Sequence, residues 1–363
     1  MKEGKLKKLN YKMQYDPDDV DIRLEHFTVE EIIKLIEENT LEIIEENDLQ
    51  RLPDLWDLRR KSLLIESLLI KLPLPIFYLD GSQEIWQVID GLQRLTTLYQ
   101  FISPKSEKTF KLKHLEYLQD EYEEFSFEEL PLAMRRRILD STIEAFVLNP
   151  GTPLSVKYNI FQRINTLGLK LKSQEVRNAL YRGVPSNFTK ELANEEIFKN
   201  ATNGKVTGKR MDDREYATRF VAFQWFKDDY GGDMDDFLRR TMEEMAQTKK
   251  EERESLRKLF VLTMNRSLEL LGNYCFYRIE PNHIPRGRTP NKALFDTLSW
   301  NISQLTNAEF EKLQKKQTAF TQKYVKFLNE NASFYRAIDH TTGSITSITN
   351  RFNLLQNFFK GQL

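Results

Sequence analysis

The chain has 363 residues, 40% hydrophobic and 12% aromatic, enough apolar material to build a packed core and to exclude wholesale disorder. Lysine plus arginine equals aspartate plus glutamate at 54 each, so the net charge is zero and only a local basic patch could hold nucleic acid. The single cysteine, Cys275, excludes an intramolecular disulfide and disfavours a thiol nucleophile or a zinc site.

In chain order, Met1 to Lys12 is lysine-rich but no apolar h-region follows, so no signal peptide is expected. No apolar stretch approaches the roughly 18 residues of a membrane span, and a soluble, cytoplasmic protein is expected. Thr28-Val29-Glu30-Glu31 reads as a capping box, and Ile32, Ile33 and Ile36 carry the helix to about Asn39. Ser62 to Ile70 is too uniformly apolar for a surface helix and should lie in the core. Leu72-Pro73-Leu74-Pro75 stops it. Ile76 to Leu79 has strand composition, Asp80-Gly81 signals a hairpin turn, and Glu84 to Ile89 is the returning strand. Asp90-Gly91 breaks that strand, and Leu92 to Ile102 reads as a helix.

Leu130 to Leu139 is expected as a helix, Ile143 to Leu148 as a strand and Asn149 to Pro153 as a loop. Beyond it the chain reads as almost wholly helical, over 154–165, 174–182, 188–196, 212–229, 233–247, 251–279, 290–303, 307–330 and 344–360. Cys275 lies in the aromatic run Tyr274 to Tyr277 and reads as core packing. The expected fold class is α+β: a small sheet domain over 1–150, then a mostly helical lobe over 151–363 that completes a pocket.

The segment Val88-Ile89-Asp90-Gly91-Leu92-Gln93-Arg94-Leu95 carries the most chemistry. A buried strand ends, glycine permits close backbone approach, and a helix begins whose first-turn amides have no intrahelical partners. Helical side chains slope towards the N-terminus, so Gln93 and Arg94 lean to that opening, and a guanidinium presents a planar fork of donors to phosphate. The alternative is structural: Arg94 pairs with a nearby carboxylate.

The run from Val88 to Leu98 resembles the Asp-Gly-Gln-Gln-Arg-Leu hallmark of the GmrSD restriction-enzyme N-terminal domain family, with Leu92 in place of the commoner first glutamine. Leu63, Ile65, Glu66, Ser67 and Leu72 to Pro75 are similar to the segment preceding that hallmark. Phe161 to Gly168, with Leu171, Ser173, Glu175, Arg177 and Asn178, is similar to the second family motif, and Arg210 to Glu215 with Arg219-Phe220 to a third, less specific patch. The family includes SspE-like phage-defence effectors and is related in fold to the ParB/sulfiredoxin group.

The resemblance implies a domain that binds and hydrolyses a nucleoside triphosphate with Mg2+. Arg94 and Gln93 would take phosphate oxygens beside the Gly91 amide, and Asp90 would orient water or hold the ion. Arg163, Asn165 and Gly168 would complete the pocket, although Asn165 and Gly168 equally suit a simple turn and Arg163 and Arg177 could pair with Glu175 or Asp213. Ser173 is a candidate cap for the helix that follows. The family's early Gln-Arg pair corresponds to Gln50-Arg51, but four residues, including Pro53, separate it here from Trp56, about one more than usual. Either the loop absorbs an insertion or the pair no longer faces the pocket.

Implied partners are a nucleotide, DNA, and a separate nuclease or defence-system subunit. The alternative to an NTPase is a non-catalytic, nucleotide-regulated module that contacts DNA or protein. Nuclease activity ranks lowest, because Asp339-His340 is followed by too little chain for a His-Asn-His metal site, and His26, His114 and His283 are scattered. No Walker-type glycine-rich loop, Gly-x-Ser-x-Gly elbow, CxxC pair or HExxH helix is present. Arg135-Arg136-Arg137 reads mainly as a solvated helix face.

Overall fold

The computed structural model describes residues 20–43, 56–153, 156, 157, 160, 172–282, 285–287 and 289–363. Contacts divide the chain into two compact units, one within 14–170 and the other from 171 to 363.

The N-terminal unit is α+β. Strands β1 (Ile22–Thr28), β2 (Leu41–Glu42), β3 (Phe77–Asp80), β4 (Trp86–Asp90) and β5 (Thr142–Leu148) form a mixed sheet in the order β1-β5-β3-β4-β2. The β1/β5 and β3/β4 pairs are antiparallel, whereas β3/β5 and β2/β4 are parallel. Helix α1 (Val29–Glu37) begins at the expected capping box: Glu31 N donates to Thr28 Oγ1 at 3.1 Å, and the Glu31 carboxylate accepts from Thr28 N at 2.7 Å. It buries Val29, Ile32, Ile33 and Ile36. Helix α2 (Leu58–Leu69), capped by Asp57, places Leu64, Ile65, Leu68 and Leu69 in the same core, as its apolar composition predicts. Helix α3 (Leu92–Ile102) adds Leu95, Leu98 and Phe101, and α4 (Gln119–Tyr122) and α5 (Leu132–Leu139) follow.

Two strands of this sheet escaped the sequence reading. β1 is an edge strand whose middle four residues, Arg23 to His26, are exposed, so it lacks the half-buried alternation that marks a strand. β2 is two residues long and carries no period at all. The connection between β3 and β4 is also longer than the Asp80-Gly81 dipeptide implies, spanning residues 81–85. Asp80 does not serve a two-residue turn. Its carboxylate accepts from Ser82 N at 3.0 Å and from Lys157 Nζ at 2.7 and 2.9 Å, in a pair where both residues are buried.

The C-terminal unit is helical: α6 (Ser173–Leu180), α7 (Val184–Asn194), α8 (Glu196–Ala201), α9 (Asp212–Phe226), α10 (Met234–Ala246), α11 (Lys250–Leu271), α12 (Lys292–Ser303), α13 (Asn307–Lys315), α14 (Gln317–Glu330), α15 (Ala332–Asp339) and α16 (Ile345–Lys360). The helix expected over 251–279 ends instead at Leu271, where Gly272 takes a φ of 69°. Beyond it a short hairpin, β6 (Arg278–Ile279) with β7 (Pro285–Arg286), replaces the expected helix end and loop. The span 307–330 is two helices, divided at Lys316. Cys275 is fully buried in the aromatic core, where burial pushes its thiol pKa up, as inert packing requires.

Charge runs through this unit as an alternating chain. Lys172 and Lys292 each lie 3.2 Å from Asp212, and Lys292 lies 2.8 Å from Glu215. Glu215 approaches Arg219 at 3.6 Å, and Arg219 grips the fully buried Asp296 at 2.6 and 2.9 Å. Arg351 closes the series 3.2 Å from Asp296. The Arg219 of the third sequence patch is therefore a core fastener. Among the described residues no helix is long and apolar enough to cross a membrane.

Candidate functional site

β4 ends at Asp90, and Gly91 turns the chain into α3 with φ 97° and ψ 8°, a left-handed conformation that L-residues with a side chain adopt at a cost. Among the described residues no side chain caps this helix start. The first-turn amides therefore have no intrahelical or capping acceptor among the described residues, and they sit at the positive end of the helix dipole. To that extent the junction has the geometry expected of an anion cradle.

Arg94 is less free than such a cradle needs. Its Nη2 donates to Asp90 Oδ2 at 3.0 Å and to Ile76 O at 3.2 Å, and its Nη1 donates to Pro75 O. The guanidinium carbon lies 4.1 Å from the centroid of Phe77, stacked on the ring. Only 11% of the side chain is exposed, against 35% for Asp90. Burial pulls the Arg94 pKa below its usual value, and the neighbouring Asp90 charge opposes that. In this arrangement Arg94 binds α3 to the start of β3 and holds the entrance carboxylate, which is the structural alternative drawn from the sequence.

Gln93 makes a different link. Its Oε1 accepts from the backbone N of Trp56 at 3.3 Å, joining α3's first turn to the chain just after residues 44–55. Gln50 and Arg51 lie in that segment, outside the described residues, as do Arg163, Asn165 and Gly168. The structure thus brings together Asp90, Gly91, Gln93 and Arg94.

The helix after the second motif is described, and two readings of it change. Lys172, not Ser173, is the N-cap of α6; Ser173 instead donates its hydroxyl to Asp235 at 2.8 Å. Arg177 is buried and pairs with Asp235 at 3.0 Å, not with Glu175 or Asp213, while Gln174 accepts from its Nε at 3.0 Å. Glu175 accepts from Lys172 N at 2.6 Å and pairs with Arg210 at 3.0 Å. Burial raises the pKa of Glu175 despite the Lys172 amide and the Arg210 charge. Arg210 and Met211 enter α9 with φ of 60° and 55°, two successive left-handed residues, neither of them glycine.

Residues the sequence reading missed include Phe77, Lys157 and the role of Glu66. Phe77 could have been found from the period-two alternation that places it with Leu79 on the core face. Glu66 is buried and accepts from the amides of Glu116, Tyr117 and Leu118 at 2.7–3.0 Å, fixing the chain that leads into α4. A carboxylate inside the apolar run Ser62 to Ile70 is the signal for such a role. Among the described residues no group of three or more His, Cys, Asp or Glu side chains could hold a metal ion. His340 is exposed and lies 3.5 Å from Asp339.

Residues 29–182 match the family model described as GmrSD restriction endonuclease, N-terminal domain. Over that stretch the chain is similar to a GmrSD N-terminal domain. The match starts at the first residue of α1, includes the Asp90–Arg94 junction and the whole second motif, and ends just beyond α6. The matched segment therefore extends past the contact boundary at 170 and into the helical unit. No curated protein and no solved structure matches the chain.

Proposed function

We propose that the GmrSD-like N-terminal domain of this chain binds a nucleoside triphosphate at the start of α3, and that the protein serves restriction-type defence against phage or foreign DNA. The observation that carries the reading is the uncapped first turn of α3, entered through left-handed Gly91 and flanked by Asp90 and Arg94. First-turn amides at a glycine-entered helix start suit a phosphate. The family match supplies the defence setting.

Binding here is an exchange of partners. A phosphate oxygen reaching the junction competes with the Asp90 carboxylate for Arg94, and the displaced carboxylate needs a cation. Magnesium commonly bridges phosphates and one or two carboxylates, and Asp90, about a third exposed, fits that limited role. When bound, the ion would neutralise phosphate charge. Gln93 would carry the event to the Trp56 backbone.

A second reading is favoured by one feature: Arg94 is turned onto the carbonyls of Pro75 and Ile76 rather than outward. That orientation suits a nucleotide-controlled switch for DNA or protein contact better than a hydrolase. Incubating the full chain with each triphosphate and Mg2+ separates the two. Phosphate release supports turnover, and saturable binding without release supports the switch. Asp90→Asn keeps an acceptor for Arg94 but removes the charge, so it should abolish the Mg2+ dependence of binding while the protein stays folded. Absence of binding by every triphosphate would defeat both readings.

A further inference from the structure

We propose that the β6–β7 hairpin and α15 form a second binding site, for a phosphate group, with Arg278, Arg286 and Tyr335 as its donors. In the hairpin register Arg278 stands directly opposite Arg286. Like charges at directly opposed positions destabilise a strand pair, so this arrangement breaks a local rule. Such a breach points to function where something else gains by it.

The two guanidinium groups converge. Each lies 5.9 Å from the centroid of the Tyr335 ring. Arg286 Nη1 donates to the Tyr335 hydroxyl oxygen at 2.9 Å, and Arg278 Nη1 lies 3.5 Å from the same atom. With its oxygen engaged as acceptor, the phenol's own hydrogen has no acceptor among the described residues. Asp339 balances Arg278, but no carboxylate among the described residues pairs with Arg286. A shallow cleft opens at this point, bounded by both arginines, Tyr335 and Glu280.

Two planar forks and one hydroxyl, brought from two strands and a helix, suit a tetrahedral group with several acceptor oxygens. Bound there, a phosphate would relieve the Arg278–Arg286 repulsion and give the Tyr335 hydrogen an acceptor. Glu280 at the rim opposes it, so the site keeps low net charge and relies on geometry. A free phosphate, the terminal phosphate of a nucleotide and a nucleic-acid backbone share this chemistry.

The test is calorimetric titration of the full chain with inorganic phosphate, followed by competition with a short DNA duplex. Arg286→Ala should weaken phosphate binding about tenfold or more, as loss of a charge-assisted hydrogen bond implies. Tyr335→Phe, which keeps the ring, should weaken it about threefold to tenfold by losing the hydroxyl alone. Glu280→Gln should tighten it. A duplex that displaces phosphate identifies the backbone source, and a duplex that does not identifies a free phosphate group. No phosphate binding, or binding unaltered in both Arg286→Ala and Tyr335→Phe, overturns the proposal. These variants leave the start of α3 untouched, so the outcome is independent of the nucleotide reading.

Discussion

The ring of Phe77 fills the space that a side chain on Gly91 would occupy: a Cβ there would stand 2.3 Å from Phe77 Cδ1 and 2.8 Å from Cε1. Alanine at 91 would meet this clash as well as the left-handed backbone. The two effects together predict that Gly91→Ala destabilises the N-terminal unit by roughly 2–4 kcal/mol. Urea unfolding followed by the fluorescence of Trp56 and Trp86 measures it, and an unchanged midpoint would show that Phe77 yields freely.

Arg94 should matter to stability before it matters to any ligand. Arg94→Ala leaves the carbonyls of Pro75 and Ile76 and the Asp90 carboxylate without their donor, at an expected cost of about 2–4 kcal/mol. Arg94→Lys keeps the charge but not the fork and should recover part of that loss. Equilibrium denaturation of both variants is the measurement. Equal stability of Arg94→Ala and the parent would show that the guanidinium is no fastener.

Glu66→Gln replaces a carboxylate that accepts from three successive amides with a side chain that turns a donor towards them. A loss of about 1.5–3 kcal/mol is expected. Amide hydrogen exchange at Glu116, Tyr117 and Leu118 should accelerate selectively, which a general loosening of the unit would not produce.

Glu175 predicts a pH dependence. Burial raises its folded pKa above the ordinary 4.5. Between those two values the native state keeps a proton that the unfolded chain has released, so stability falls as pH rises through that window and levels off above it. Glu175→Gln removes this slope. The stability of the parent relative to the variant should therefore be highest in acid and decline with rising pH from about 4.5 upward. Urea midpoints across that range read it directly, and a slope of opposite sign would mean that Arg210 and the Lys172 amide outweigh burial.

Much of this fold was readable in advance where the hydrophobic period was strong. α1 with its capping box and α3 from Leu92 to Ile102 fall where expected. β1 was not legible because Arg23 to His26 are solvent-exposed at a sheet edge, and β2 is too short to show a pattern. The hairpin at Arg278 was hidden because Leu268, Leu271, Cys275 and Ile279 continue a helical spacing that Gly272 ends through its backbone geometry alone. At the candidate site, the strand-to-helix turn at Gly91 could be read from local sequence. The partners of Arg94 could not, since Pro75 and Ile76 lie 18 or 19 residues away and contribute only backbone atoms.

The line of ionic contacts from Lys172 to Arg351 carries a rule of parity. Every interior member stands between two groups of opposite sign, so deleting one leaves its former neighbours as like charges facing each other across the gap. Deleting two adjacent members, such as Lys292 and Glu215, restores neutrality around the gap. The double change should cost less than the sum of the single ones, and the helices it joins tolerate compound substitutions that neither residue could bear alone.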